Sequence, residues 1–307
     1  MMLLDRHIVP DLPEPVRLSD YACSCFPDVP SRKGIKKAIQ RGQLHVNGAP
    51  ETTGYWVQTG DQLELYEAEP RVAKVFELPL PVIYEDDDLA VVLKPAGYKV
   101  SGNQFQTIHN ALPFNLKPPV AGDNLATPLP VHRLDKPTSG LLLVAKSLKA
   151  RIDLGEQLKQ QSVKKRYQAV VIGQMPEAGF IDEPLEGKPA RTRYHLLDTC
   201  PSLKNETLSW LDLWPETGRT HQLRVHMLHL KCPIIADKLY AGHDHVSLKD
   251  LVETETNEEP LIARQALHAF RLELRHPVTD AIMQFEAPLP DDFQRALDAI
   301  RTHRTVH

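Results

Sequence analysis

The stretch VHRLDKPTSGLLLVAKS, residues 131–147, sets a single carboxylate, Asp135, among His132, Arg133 and Lys136. Cations this close depress a carboxyl pKa and favour its ionised form. An ionised carboxylate in such company can attack an electrophile or stabilise a developing cation. It can also be one member of a loop salt-bridge cluster, and spacing alone leaves both readings open. The polar loop ends at Gly140, where an apolar run begins, so Asp135 is expected just before a buried strand.

A second chemically rich segment is ETGRTHQLRVHMLHL, residues 216–230. A helix is expected over 219–230, started by Thr217 or Gly218, with Arg219 in its first turn. Spacings of three and four put Arg219, Gln222 and His226 on one face and Thr220 and Arg224 on another. A cation in a first turn opposes the helix dipole, so Arg219 should have an anionic partner, protein or phosphate. His221, His226 and His229 suggest a metal, but no acid or cysteine joins them at ligand spacing, and no metal site is expected. His243-Asp244-His245 is weaker still. The four cysteines, Cys23, Cys25, Cys200 and Cys232, contain no CxxC pair; reduced, idle thiols are expected.

The elements that must position these residues read as α+β. Strand-like runs are LAVVLKP, GLLLVAK, RYQAVVIGQ, LSWLDLW and LHAFRLELR, the last followed by the turn HPVTD and then AIMQFEA. A helix over 148–161, with Ile152, Leu154 and Leu158 apolar, separates two of them. Strands and helices do not alternate regularly, which points to a mixed, largely antiparallel sheet flanked by helices and loops. Five segments are expected: a tail at 1–15, a small α/β unit at 16–67, a linker at 68–80, a catalytic domain at 81–300, and within it an exposed acidic loop at 241–263.

In the small unit Ser31 can cap a helix whose Ile35, Ala38 and Ile39 face a core. QLHVNGAPE then alternates into an Asn47-Gly48 turn, a hairpin signal. That helix carries Arg32, Lys33, Lys36, Lys37 and Arg41 with no acid among them. Such a run is a solvated face or a nucleic-acid footprint, and the tight hairpin after it favours RNA. The whole chain has net charge −4, but RNA binding depends on a local basic face and not on the sum.

The chain has 307 residues, 42% of them apolar, which suits one large domain plus a small module. No apolar run approaches the ~20 residues of a membrane span. The opening MMLLDRHIVPDLPEP puts an acid and prolines where a secretory signal needs an apolar stretch, so the cytoplasm is the expected location.

Five blocks, in order, resemble those of the RluA-type pseudouridine synthases: KPAG at 94–97, HRLDKPTSGLLLVAK at 132–146, KRYQAVV at 165–171, GRTHQLRVHM at 218–227 and LHAFRLELRHP at 267–277. KPARTRY at 188–194 and PIIADKLY at 233–240 match intervening pieces, and residues 16–67 are similar to the alpha-L RNA-binding motif of ribosomal small-subunit proteins. The resemblance implies isomerisation of uridine to pseudouridine in structured RNA. In it Asp135 corresponds to the essential aspartate and Arg133 to an arginine that enters the RNA stack as the uridine flips out. Tyr167 corresponds to a tyrosine that stacks on the base and is placed for proton abstraction, and Arg219 to an arginine that pairs with the aspartate. His132 joins Arg133 among the expected RNA contacts. Every atom of the product comes from the substrate, so no cofactor and no metal is implied. The implied partner is ribosomal RNA of the large subunit, with transfer RNA open, and a monomer without membrane contact is expected.

Two positions depart from the family pattern. Ser101 stands where a histidine is expected after KPAG, and Pro137 where a polar residue is common. Both bear on substrate choice more than on the reaction. The competing reading is a non-catalytic RNA-binding or ribosome-assembly factor, against which the joint presence of Asp135, Tyr167 and Arg219 argues. A serine hydrolase using Ser139 or Ser101 lacks any GxSxG elbow.

Overall fold

The computed structural model describes residues 2–27, 29, 31–67, 75–118, 124–203, 206–251 and 255–302, with side chains left aside at 201–203 and 206. The chain forms two compact units, residues 1–73 and 74–307. Part of the expected linker, 68–74, lies outside the described residues.

The first unit runs β1 (Leu3–Ile8), β2 (Val16–Arg17), α1 (Leu18–Tyr21), α2 (Arg32–Gln40), β3 (Leu44–Val46), β4 (Ala49–Pro50), β5 (Trp56–Val57) and β6 (Gln62–Tyr66). Its sheet has the order β1-β6-β3-β4, with β2 and β5 paired separately. Ser31 caps α2, its hydroxyl accepting from Gly34 N at 3.1 Å. Ile35, Ala38 and Ile39 pack with Leu18, Phe26, Leu44, Leu63 and Leu65. The β3–β4 turn takes positive φ at Asn47 (52°) and Gly48 (82°), the pairing that Asn-Gly supplies at little cost. Residues 1–15 are not simply a tail, because β1 forms a full edge strand along β6. LLDRHI buries little apolar surface. It is held by the main-chain ladder, by Arg6 on Glu64 (3.1 Å) and by the His7–Tyr21 hydrogen bond (2.9 Å). A strand fixed mainly through its backbone leaves a faint pattern in its side chains.

The second unit begins with β7 (Val82–Glu85), β8 (Leu89–Lys94), α3 (Ile108–Asn115), β9 (Asn124–Pro130), β10 (Ser139–Ser147), α4 (Leu148–Lys159) and β11 (Lys164–Ile172). It continues with β12 (Ala178–Asp182), β13 (Arg191–Leu203), β14 (Glu206–Pro215), α5 (Gln222–His229), β15 (Val246–Ser247), α6 (Leu248–Leu251), β16 (Pro260–Ile262), β17 (Leu267–Arg275), β18 (Ile282–Glu286) and α7 (Asp291–Thr302). The main sheet follows β12-β13-β14-β11-β17-β10-β8-β7, with β18 added on β17 and β9 on β10. β10 and β17 run parallel; the other pairs of this sheet are antiparallel. This is the mixed, largely antiparallel α+β fold expected from the strand runs.

The β10–β17 contact covers only Ser139–His268 and Gly140–Ala269, yet it sets the sheet's centre. Gly140 has φ +120°, and a Cβ there would lie 2.3 Å from the Ala269 carbonyl oxygen. Only glycine lets the two strands meet at the point where the Asp135 loop enters the sheet. β10 is buried along its whole length, which explains why GLLLVAK shows no alternation.

The segment expected as an exposed loop at 241–263 is partly ordered into the β15–β16 pair and α6, and Val246, Leu251 and Ile262 join the main core. A few apolar residues in an acidic run are enough to anchor it. Ser101 is exposed in a bend that follows the buried Val100.

Candidate active site

The loop between β9 and β10 is fastened from several sides. Lys94, at the end of β8 and fully buried, donates to the carbonyls of Pro95 (2.9 Å), Lys136 (3.1 Å) and Thr138 (2.6 Å). Burial, with Arg264 adding to it, pulls the Lys94 pKa down to about 7, while Asp135 acts in the opposite sense. Gln265 donates to the Thr138 hydroxyl at 2.7 Å, and Gly97 N to the Lys136 carbonyl at 2.8 Å. His132 accepts the Leu143 amide at 3.0 Å through Nε2, so the ring bolts the loop to β10. Burial and nearby Lys165 push its pKa down to about 3, and the ring is neutral at physiological pH. His132 was expected among the RNA contacts; this bond gives it a bracing job.

Asp135 lies on the wall of a cavity of ≈ 490 Å³. Arg224 Nη1 donates to Asp135 Oδ2 at 3.1 Å, while Nε and Nη2 grip the buried Asp237 at 2.6 and 2.8 Å. One guanidinium thus serves two carboxylates, and its tighter, bidentate hold is on Asp237. The carboxylates outweigh the opposing burial and keep Arg224 charged. Asp135 is oriented by this arginine without having sole use of its charge, since two carboxylates share one guanidinium. His221 Nε2 stands 3.7 Å from Asp135 Oδ1, and its Nδ1 meets the Tyr240 hydroxyl at 3.0 Å. Tyr240 in turn lies under the Arg224 guanidinium at 4.8 Å.

The structure therefore corrects the expected pairing of Asp135 with Arg219. Arg219 is exposed, and its Nε donates to the Pro189 carbonyl at 3.0 Å. The reason is local. Gln222 Oε1 accepts from Thr217 Oγ1 (2.6 Å) and Arg219 N (3.0 Å), curling GRT into a turn ahead of the helix. His221 closes that turn in the left-handed region, φ 54°, and α5 begins only at Gln222. Arg219 precedes the helix, so the dipole argument for its partner does not apply. Arg224, two residues inside α5 and 6% exposed, is the arginine that reaches the aspartate. Asp237 and Tyr240 lie in PIIADKLY, where an acid and an aromatic three residues apart are the sequence signal for these two roles.

Tyr167, on β11, lines the same cavity, as do Arg133, His132 and Arg219. Burial first, and Asp135 second, raise its pKa, so the phenol keeps its proton at neutral pH. It can stack and donate a hydrogen bond; it is not a resting base. Lys165 also lines the cavity, and burial lowers its pKa. Arg133 is exposed at the cavity edge. Lys33, Lys36 and Lys37 are exposed on α2 of the other unit, and Arg41 just past its end, while Arg32 pairs with Asp20 at 2.5 Å.

The histidines of α5 are engaged separately. His226 bonds Thr192 (2.9 Å) and the Glu183 carbonyl (3.0 Å), and His229 faces Glu183 at 3.5 Å. Among the described residues Asp86, Asp88 and His276 stand close enough to share an ion. Their atoms already take hydrogen bonds from Tyr84, Ser147 and one another, bracing the β7–β8 turn away from the cavity wall.

Known proteins are similar to this chain as a whole. Residues 88–229 match the family described as RNA pseudouridylate synthase. The chain is 38% identical to ribosomal large subunit pseudouridine synthase D of Pseudomonas aeruginosa, covering 94% of this chain and 93% of the relative. It is 35% identical to the protein of the same name from Pasteurella multocida, over 95% and 93%. Among solved structures, human RNA pseudouridylate synthase domain containing 4 superposes with a TM-score of 0.55 at 25% identity, over 72% of this chain and 92% of that one. No described helix is long and apolar enough to cross a membrane. The chain belongs to the RNA pseudouridine synthases of the RluA type.

Proposed function

We propose that the protein isomerises uridine in large-subunit ribosomal RNA and that Asp135 acts on the ribose of a flipped-out nucleotide. The observation that carries this reading is the Asp135–Arg224–Asp237 arrangement. It presents an oriented, anionic oxygen in a cavity large enough for one nucleoside. In the reaction the C1′–N1 bond breaks, the uracil turns, and a C1′–C5 bond forms. The C5 proton then leaves and N1 is protonated. The anion stabilises positive charge at C1′ as the base departs. Tyr167 stacks on the uracil, and its neutral hydroxyl takes the C5 proton only as its own passes to Asp135, the carboxylate whose charge acts on it. Arg133, exposed at the edge, fills the stack that the uridine vacates, which helps offset a flipping cost of a few kcal/mol. Arg219 is assigned to the RNA backbone at the same edge.

The ribosomal substrate is favoured by the relatives at 35% and 38% identity, both named as ribosomal large subunit pseudouridine synthases. The exposed lysines of α2 suit a phosphate-binding first unit, an extra hold that a large folded RNA allows. The protein is expected to act as a cytoplasmic monomer. Purified protein should form pseudouridine in protein-free large-subunit RNA and leave transfer RNA unchanged, as read by chemical mapping. Modification of transfer RNA alone would overturn the substrate assignment.

A further inference from the structure

A second depression, ≈ 470 Å³, opens beside the catalytic cavity and shares Gln161, Val163, Lys165, Pro215 and Glu216 with its lining. A row of side chains crosses the sheet here. Phe180 on β12 stands opposite Arg193 on β13, and Arg193 opposite Trp214 on β14. Residues paired across adjacent strands point to the same face, so the three form one strip. Further along, Arg166 on β11 pairs with Arg271 on β17, and both line the depression.

Not all of this charge is free. Lys164 pairs with Glu273, Arg166 with Asp212 and Glu286, and Arg271 with Glu286. Lys165 and Arg193 differ: among the described residues neither forms an ion pair. The Arg193 guanidinium carbon sits over the Trp214 ring, 4.1 Å from its centre. A stacked guanidinium still has its in-plane N–H groups, which are the ones that grip phosphate. Beside it Phe180 is 57% exposed, with Arg191 over its ring at 4.8 Å. Arg191 is itself paired with Glu216 at 3.4 Å, so Arg193 is the cation left free beside these rings. A free cation next to accessible aromatic rings suits a nucleic-acid strand, whose phosphates and base faces need both.

We propose that this groove is an RNA-binding track that receives the strand flanking the uridine held in the cavity. Lys165, shared by both depressions, takes the phosphate nearest the target, and Arg193 takes one further along. The Arg193–Trp214 stack offers a platform to an unpaired base. The assignment rests on the RNA isomerase reading and adds to it a length of substrate recognised outside the cavity.

Arg193 is exposed, so its replacement should leave folding intact. The full chain is compared with Arg193→Ala and Arg193→Glu on two RNAs. One is a large-subunit fragment carrying the target with its flanks, the other the same target loop trimmed of them. Arg301→Ala is the control, since that arginine also stacks on a tryptophan, Trp210, outside the groove. For Arg193→Ala we expect about 5- to 20-fold weaker binding of the long fragment, a salt slope shallower by about one, and unchanged affinity for the trimmed loop. Arg193→Glu should lose more, and Arg301→Ala nothing. Equal losses on both RNAs, or an unchanged salt slope, would overturn the track while leaving the isomerase reading in place. Failure of the wild-type chain to convert uridine in either RNA would instead remove that reading, and the track with it.

Discussion

Asp135 and Arg219 line one cavity and are supported in opposite ways. Behind Asp135 stand Arg224, the buried Asp237, Lys94 with three carbonyls, and His132 bonded to the β10 backbone. Arg219 and Arg133 are exposed, and the Arg219 guanidinium donates to a backbone carbonyl and not to a carboxylate among the described residues. The buried side fixes one geometry before any substrate arrives, as chemistry on a sugar requires. The exposed side leaves its cations able to follow a phosphate backbone. Preorganisation and adaptability are thus divided within one wall of the same pocket.

The sharpest way to break this contrast is to remove each arginine in turn. Arg224→Met leaves the Asp237 carboxylate buried without its partner, which should cost about 3–5 kcal/mol in urea unfolding and abolish turnover. Arg219→Met should change stability by no more than about 0.5 kcal/mol and act mainly on RNA affinity. Comparable destabilisation by the two would erase the distinction between the two sides.

Tyr167 tests what the buried side does to a base rather than to a sugar. Tyr167→Phe keeps the ring and removes the hydroxyl, so RNA affinity should hold while single-turnover rate falls by about 10²-fold. A Phe variant as fast as wild type would reduce Tyr167 to stacking alone. Because the phenol pKa is raised, no gain in rate is expected between pH 6 and 8 from its ionisation.

A smaller effect should appear in acid stability. His132 has its pKa depressed to about 3 against an ordinary 6.5, so as pH falls the unfolded chain takes up the proton first. The stability it contributes is complete above pH 6.5 and is lost as pH falls from there towards 3. His132→Gln retains an acceptor for the Leu143 amide but does not titrate. Its urea-unfolding stability should therefore drop by about 1–2 kcal/mol less than wild type's between pH 7 and pH 5. An identical pH dependence would mean that His132 does not anchor the loop as a neutral acceptor.

The strands were legible where the sequence is most apolar. GLLLVAK and LHAFRLELR become β10 and β17 because burial dictates both composition and placement. β1 was not, since LLDRHI is held by backbone pairing and polar contacts that leave no apolar period. The site divides the same way. Asp135 was visible as an acid among cations, while the choice between Arg219 and Arg224 turned on where α5 begins. That boundary is set by the Gln222 side chain gathering Thr217 and Arg219, a tertiary detail no helical period reveals. Asp237 lies within PIIADKLY, yet its role depends on an arginine thirteen residues away in the chain.

In the mechanism we propose, the carboxylate oriented by Arg224 performs the chemistry and does little for binding. Asp135→Asn keeps the size of the side chain and an oxygen for the Arg224 hydrogen bond while removing the charge. Single-turnover conversion and RNA affinity, measured together on this variant with large-subunit RNA, test the claim most directly. We expect no detectable pseudouridine at an affinity close to wild type's. An Asn variant that still converts the RNA at a rate near wild type's would contradict it.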